Sequence, residues 1–74
     1  MKQLRWETKK RYYCARVYQD MLDFWVVEKV WGGRQNNLGN GDQEVLPTYK
    51  EAIQMMERIH KERLARKYWL VESR

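Results

Sequence analysis

The four residues Trp31-Gly32-Gly33-Arg34 bring together three groups that bind anions and bases. An indole stacks on a base or a sugar, the amides of a glycine-rich turn bind a phosphate, and a guanidinium holds a phosphate through two parallel hydrogen bonds. This chemistry belongs to the binding of a polyanion and not to bond cleavage. Spacing alone favours a structural alternative, in which Trp31 is a core residue and the two glycines form a bulge beneath its ring.

Residues suited to acid–base, nucleophilic or metal chemistry are few and isolated. His60 is the single histidine, and it falls on the apolar stripe of a predicted helix, where a histidine is usually a core or rim residue with a satisfied hydrogen bond. Cys14 is the single cysteine, so a zinc site lacks its further ligands, and on a predicted strand it is typical of packing. The carboxylates form no pair spaced for acid–base work. We therefore expect no enzyme activity, catalytic residue, metal, cofactor or small-molecule substrate.

Positive charge is unevenly distributed along the chain, whose net charge is +5. Residues 2–16 and the segment 58–67 are basic, whereas residues 20–51 are more acidic. Clustered cations attract polyanions, but a solvated basic surface that maintains solubility is an equally open alternative. The cations that we select as candidates to neutralise phosphates are Lys9, Lys10, Arg11, Arg34 and Lys61.

The length of 74 residues limits the chain to one domain, residues 1–74, with a small core. An apolar fraction of 43% is typical of a folded chain. The single cysteine forms no internal disulfide, the first ten residues contain no apolar run of the signal-peptide type, and no segment approaches the roughly 20 apolar residues of a membrane span. We expect a soluble cytoplasmic protein with no membrane partner.

Alternating and turn-forming patterns predict the strands. Residues 10–19 alternate in the period of a strand, with Tyr13, Ala15 and Val17 on one face. Residues 24–31 are apolar on both faces, which indicates a central strand covered in part on each side. Glycines and asparagines crowd into residues 32–41 and predict a turn or exposed loop. A third short strand, 42–46, ends before Pro47.

Thr48 and Glu51 match a capping box, in which the threonine accepts from the Glu51 amide and the glutamate reaches back. They predict an amphipathic helix from residue 49 to residue 66. Its apolar side is predicted to carry Ala52, Ile53, Met56, Ile59 and Leu64. Leu4 and Trp6 indicate an N-terminal strand, and residues 68–71 form either a final strand or a packed tail. The fold class is α+β: a small antiparallel β-sheet of three to five strands with one long helix packed on one face.

The order of these elements resembles the WGR domain, a small module named for its Trp-Gly-Arg signature. The resemblance spans nearly the whole chain. It is carried by Leu4 and Trp6, residues 11–17, residues 25–32, Leu38-Gly39, Glu51-Ala52, Arg63 and Arg66-Lys67-Tyr68. Two positions depart from the family pattern. Gly33 occupies the place of the signature arginine, with Arg34 one residue later, and a shift of one residue on a strand turns a side chain to the opposite face. Lys67 occupies the place of the glycine before Tyr68.

The resemblance implies a nucleic-acid-binding module. WGR domains of DNA-dependent poly(ADP-ribose) polymerases contact DNA near a strand break and relay that contact to a catalytic part. DNA is thus the expected partner, with ends or nicks as the preferred target and Trp31, Gly32, Gly33 and Arg34 at the interface. The alternative is a protein–protein interaction module that docks a partner through the 32–41 loop or a sheet edge. Cations on the same face as Trp31 favour DNA, whereas evenly spread cations favour a protein partner.

Overall fold

The structure is a computed structural model that describes residues 2–35 and 39–74. These residues form a five-stranded antiparallel sheet with one helix packed against it, which confirms the predicted α+β class. The elements are β1 Lys2–Glu7, β2 Arg11–Gln19, β3 Trp25–Gly33, β4 Gly39–Leu46, α1 Tyr49–Ala65 and β5 Trp69–Ser73. The strand order is β4-β3-β2-β1-β5, so β2 is the middle strand and β5 returns after the helix to pair with β1.

The core lies between α1 and one face of the sheet. Trp6 is fully buried at its centre, and its indole Nε1–H donates to Nδ1 of His60 at 2.9 Å. His60 is therefore a rim residue with a satisfied hydrogen bond, as predicted. The strands contribute Leu4, Ala15, Val17 and Val27 to this core, and the helix contributes Ala52, Met56 and Ile59.

The opposite side of the sheet, which we call the open face, carries the alternate residues of each strand. Tyr12, Cys14, Arg16 and Tyr18 lie there from β2, because strand side chains alternate between faces. No described element covers the open face, so the prediction that the strand over residues 24–31 is covered in part on each side holds only in part. Val26 of β3 is buried outside the main core, whereas Val30 on the same side is exposed.

The glycine-rich segment contains more strand than predicted. β3 continues through Gly33 and β4 begins at Gly39, so the prediction of a loop over 32–41 was wrong at both ends. Asn36, Asn37 and Leu38, which the prediction also placed in the loop, lie outside the described residues. Gly39 is needed for a close approach, because a Cβ there would lie 3.0 Å from the hydroxyl oxygen of Tyr12. Positive φ is not the reason, since no described glycine has one.

The threonine half of the capping box predicted at the start of the helix is present. Thr48 is the N-cap residue in an extended conformation, and its hydroxyl accepts from the Glu51 amide at 3.2 Å. The Glu51 carboxylate reaches back to accept from the same hydroxyl at 3.3 Å. One amide that the helix end leaves open is thereby satisfied, and the contact between the two side chains helps to fix the first turn of α1.

The helix ends at Ala65, one residue earlier than predicted, and Arg66 is the C-cap residue. The Tyr68 amide donates to the Arg63 carbonyl at 2.9 Å, and the Lys67 amide donates to the Leu64 carbonyl at 3.1 Å. This pair of bonds is a Schellman motif. Lys67 has a φ of 67°, the left-handed conformation that favours glycine. Lys67 therefore adopts a backbone conformation that glycine favours.

Candidate nucleic-acid interface

A cleft of about 1070 Å³ lies at the end of the sheet where β2 begins, β3 ends and α1 ends. Three elements that are distant in sequence converge there because the strands are antiparallel and the helix runs back along the sheet. Among the described residues, the cations that line it are Arg11, Lys29, Arg63 and Arg66. Trp31 lies in the same cleft, so it shares one site with these cations.

Four side chains in the cleft stack on one another, and we call them the ring stack: Trp31, Tyr13, Arg63 and Tyr68. The Trp31 ring lies parallel to the Tyr13 ring, with 5.7 Å between centroids and 11° between planes. The Arg63 guanidinium lies 4.3 Å from the Tyr13 ring centroid and 5.0 Å from the Tyr68 ring centroid. Tyr13 also meets the buried Trp6 edge to face. The ring stack is thus anchored to the core at one point and open to the cleft at Trp31, which is half-buried.

Arg63 carries a charge without a described counter-ion. Its Nε is buried and has no hydrogen-bond partner in the part of the chain that the structure describes, and none of the ion pairs found there includes it. A guanidinium between two rings is stabilised by cation–π attraction, yet burial without an acceptor is unfavourable. An anion bound in the cleft would supply that acceptor. Because the ring stack already holds the side chain, binding would cost little of its rotamer entropy.

Burial and charge also act on the neighbours of Arg63. Burial raises the pKa of Tyr13, and the nearby Arg63 guanidinium offsets only part of that effect. The phenol therefore stays neutral at physiological pH, and the ring remains a good cation–π partner. Lys29 lies 3.6 Å from an Asp42 carboxylate oxygen, so its charge is partly compensated. The uncompensated positive charge of the cleft resides on arginines.

Several residues selected from the sequence lie at this cleft. Trp31, Gly32, Gly33 and Arg11 line it directly. Lys9 and Lys10 are exposed on the adjoining β1–β2 turn, which is fixed by bonds from the Lys10 and Arg11 amides to the Thr8 hydroxyl. The segment that resembles the family signature and the N-terminal basic residues are therefore neighbours.

Arg34 lies elsewhere. Its guanidinium is 3.5 Å from Glu7 and donates to the Thr8 carbonyl at 3.1 Å, so it fastens the β1–β2 turn to the end of β3. Strand alternation places it on the side opposite Trp31, as the one-residue shift predicts. The hydrogen bond from Arg5, with a smaller contribution from Arg34, lowers the pKa of Glu7. Arg34 is thus an internal partner of a carboxylate.

Lys61 also lies away from the cleft. It borders a separate pocket of about 170 Å³ with Lys2, Met56 and His60, on the other flank of the helix. The structure therefore does not bring the selected helix lysine together with Trp31. The helix cations that reach the cleft, Arg63 and Arg66, are two and five residues nearer the C-terminus.

The sequence reasoning missed Tyr13, Lys29, Arg63, Arg66 and Tyr68 as site residues. A signal for Arg63 was present in the helix pattern. The buried stripe of Ala52, Met56 and Ile59 continues at the same spacing to position 63. Leu64, which we assigned to that stripe, is 49% exposed, so that assignment was wrong. An arginine on the inner stripe of a helix needs an anion or an aromatic partner, and here it has two rings.

Residues 2–35 and 39–74 contain no group of three or more side chains able to hold a metal ion. Within the same ranges, no helix has both the length and the apolar sequence that crossing a bilayer requires. No protein-family model matches the chain, and no curated protein or solved structure matches it either. The cleft is therefore interpreted from its own residues.

Proposed function

We propose that this protein is a nucleic-acid-binding module of the WGR type, that DNA is its ligand, and that it acts without catalysis. The observation that carries the proposal is the ring stack beside unpaired arginines in one cleft. Rings that stack on bases and cations that neutralise phosphates are the two components of sequence-independent nucleic-acid binding. The resemblance of the chain to WGR domains supports the same ligand. The free Cys14 agrees with a place in the reducing cytoplasm.

Each part of the cleft has a proposed role in this binding. Tyr13 stacks on one face of Trp31, and we assign the other face to an exposed base or sugar at a DNA end or nick. Arg11, Arg63 and Arg66 neutralise the phosphates that follow it. With about three phosphates neutralised, the logarithm of the affinity should fall with the logarithm of salt concentration at a slope of about −3.

Fluorescence anisotropy tests this proposal directly. A labelled nicked duplex, an intact duplex and a single strand are titrated with the protein at two salt concentrations. We expect the nicked duplex to bind most tightly and to resist competition by the intact duplex. Equal, weak and salt-sensitive binding to all three would indicate generic attraction to phosphates and would refute recognition of breaks. Absence of binding at low salt would remove DNA as the ligand.

Two charge-matched variants test the position of the interface. Arg66→Gln removes a cation that lines the cleft, whereas Lys61→Gln removes a helix cation on the other flank. We expect Arg66→Gln to weaken binding several-fold and to make the salt slope shallower by about 1, and Lys61→Gln to have little effect. Equal losses in both variants would contradict the cleft as the binding site.

Trp31→Ala tests the stacking role. We expect weaker binding with unchanged circular dichroism, because Trp31 lies outside the buried core. The loss should be greater for the nicked duplex than for the intact duplex, since only an end or a nick offers a base for stacking. A Trp31→Ala protein that folds and binds the nicked duplex like the parent would rule out the assigned stacking.

A protein–protein interaction module is the second candidate, and β5 is the observation that favours it. In the described chain no strand pairs with the outer edge of β5, and Trp69, Leu70 and Val71 are exposed there. Such an edge accepts an extended peptide as an additional strand. Val71→Pro would block this pairing while leaving the cleft intact. Partner binding that survives Val71→Pro would argue against this edge.

A further inference from the structure

We infer that the open face of the sheet binds a second copy of this chain. The helix covers only one side of the five-stranded sheet, so the described residues leave the other side uncovered. Apolar side chains on the uncovered side favour contact with another surface, because their exposure to water is unfavourable. On the open face, three large apolar side chains are well exposed: Val30 is 37%, Val45 is 58% and Trp69 is 46% exposed.

The charges of the open face are nearly balanced, which suits pairing with an identical surface. Strand register places three arginines and three glutamates on it, namely Arg5, Arg16, Arg74, Glu7, Glu28 and Glu72. They form ion pairs within the face, and Arg34, just beyond β3 on the same side, adds a fourth arginine 3.5 Å from Glu7. Two copies with a net charge of +5 repel each other, but a face whose cations and carboxylates nearly balance reduces that repulsion. A strongly acidic or basic partner would find no matching excess here, which favours a second copy over such a partner.

The area of the open face is near the minimum for a specific dimer. Five strands about 4.8 Å apart give a width of about 24 Å, and strands of about seven residues give a similar length. Each copy would bury roughly 500–600 Å², or about 1,100 Å² for the pair, just above the roughly 1,000 Å² that a biological interface requires. A reversible dimer of moderate affinity is therefore expected, with monomer at high dilution.

Cys14 provides a native probe of this arrangement. It lies on β2, the middle strand, so a two-fold pairing of open faces brings the two cysteines near each other. Packed sheets are about 10 Å apart, which is too far for a disulfide but within reach of a short bis-maleimide. Cross-linking to a covalent dimer through Cys14, and its loss in Cys14→Ser, is the expected chemical result.

The decisive measurement is sedimentation of the protein from micromolar to millimolar concentration. We expect the mass to rise from 9.2 kDa towards twice that value. Val30→Lys places a charge at the centre of the open face and should keep the protein monomeric, with no bis-maleimide dimer. Leu64→Lys makes the same change at an exposed leucine of the helix and should leave the dimer intact. Circular dichroism confirms that both variants fold.

Three outcomes would overturn the inference. These are a monomer at every concentration, a dimer that persists in Val30→Lys, and a dimer that is lost in Leu64→Lys, which would place the interface on the helix side. DNA affinity per monomer is measured on the same variants by anisotropy at dilute protein. Because Val30 lies outside the cleft, the dimer and the DNA site succeed or fail independently.

Discussion

Replacing Lys67 by glycine should stabilise the protein. Lys67 has a φ of 67° in the turn that ends α1, and its amide is already bonded to the Leu64 carbonyl. An L-residue in the left-handed region brings its Cβ close to the next carbonyl oxygen, whereas glycine has no Cβ. Lys67→Gly therefore removes strain without removing a described hydrogen bond.

The size of the effect follows from two opposing contributions. Left-handed backbone costs a non-glycine residue about 1–2 kcal/mol. Glycine in turn loses more backbone entropy on folding, which costs about 0.4–1 kcal/mol. The net gain is about 0.5–1 kcal/mol. For 74 residues, an unfolding entropy of about 2.1 cal/mol/K per residue converts this gain to a rise in Tm of about 3–6 °C.

Thermal unfolding followed by circular dichroism measures this rise, with two controls. Lys67→Ala removes the same charge but keeps a Cβ, so its Tm should stay close to that of the parent. Lys61→Gly makes the same substitution at an exposed position inside the helix and should lower stability by about 1 kcal/mol. A Lys67→Gly protein no more stable than Lys67→Ala would refute the assignment of strain to this residue.

Three further predictions concern the core, the ion pairs and the close approach of two strands. His60→Ala leaves the indole N–H of the buried Trp6 without its acceptor and should cost about 1–3 kcal/mol in urea unfolding; no loss would mean that another acceptor replaces the imidazole. Glu7→Gln should reduce stability at pH 7 by less than about 1 kcal/mol. Arginine lowers the pKa of Glu7 in the folded state, so the stability that the Glu7 carboxylate contributes is complete above its unfolded-state pKa and is lost as the pH falls through its folded-state pKa. The free energies of unfolding of variant and parent should therefore converge in acid. A difference that stays constant with pH would contradict the ion pairs as its source. Gly39→Ala places a methyl group 3.0 Å from a tyrosine hydroxyl and 3.2 Å from a backbone oxygen, and should lower the free energy of unfolding by about 1–3 kcal/mol. Gly41→Ala, whose methyl group would lie 3.4 Å from the nearest atom, should lower it less. Equal Tm values for the two variants would be inconsistent with this packing.

The fold was predictable because its signals are local. Alternation over residues 10–19 predicted β2, which spans Arg11–Gln19, and the pair Thr48 and Glu51 predicted where the helix begins. The glycine-rich segment was mispredicted because glycine has no side chain to record which face it occupies. Its place in β3 and β4 depends on pairing with neighbouring strands, a tertiary effect that composition does not contain.

The site was less predictable because it depends on register between distant segments. Tyr13, Trp31 and Arg63 come from β2, β3 and the end of α1, and only the folded chain places them in one stack. A basic cluster near Trp31 was predicted, but its members differ. Arg34 is three residues from Trp31 in sequence but pairs with Glu7, whereas Arg63 is 32 residues from Trp31 and lies in the cleft. Adjacency along a strand therefore says less about a shared site than position on a helix stripe.

The pairing of the first and last strands has a consequence for engineering. Gln3 and Arg74 exchange backbone hydrogen bonds of 2.9 and 2.8 Å, so the two extremities of the described fold lie side by side. A short linker could join β5 to β1, and new termini could be opened at the exposed Met21 and Leu22, giving a circular permutant with the same sheet. The same adjacency allows the whole fold to be grafted into a surface loop of another protein without stretching the host backbone.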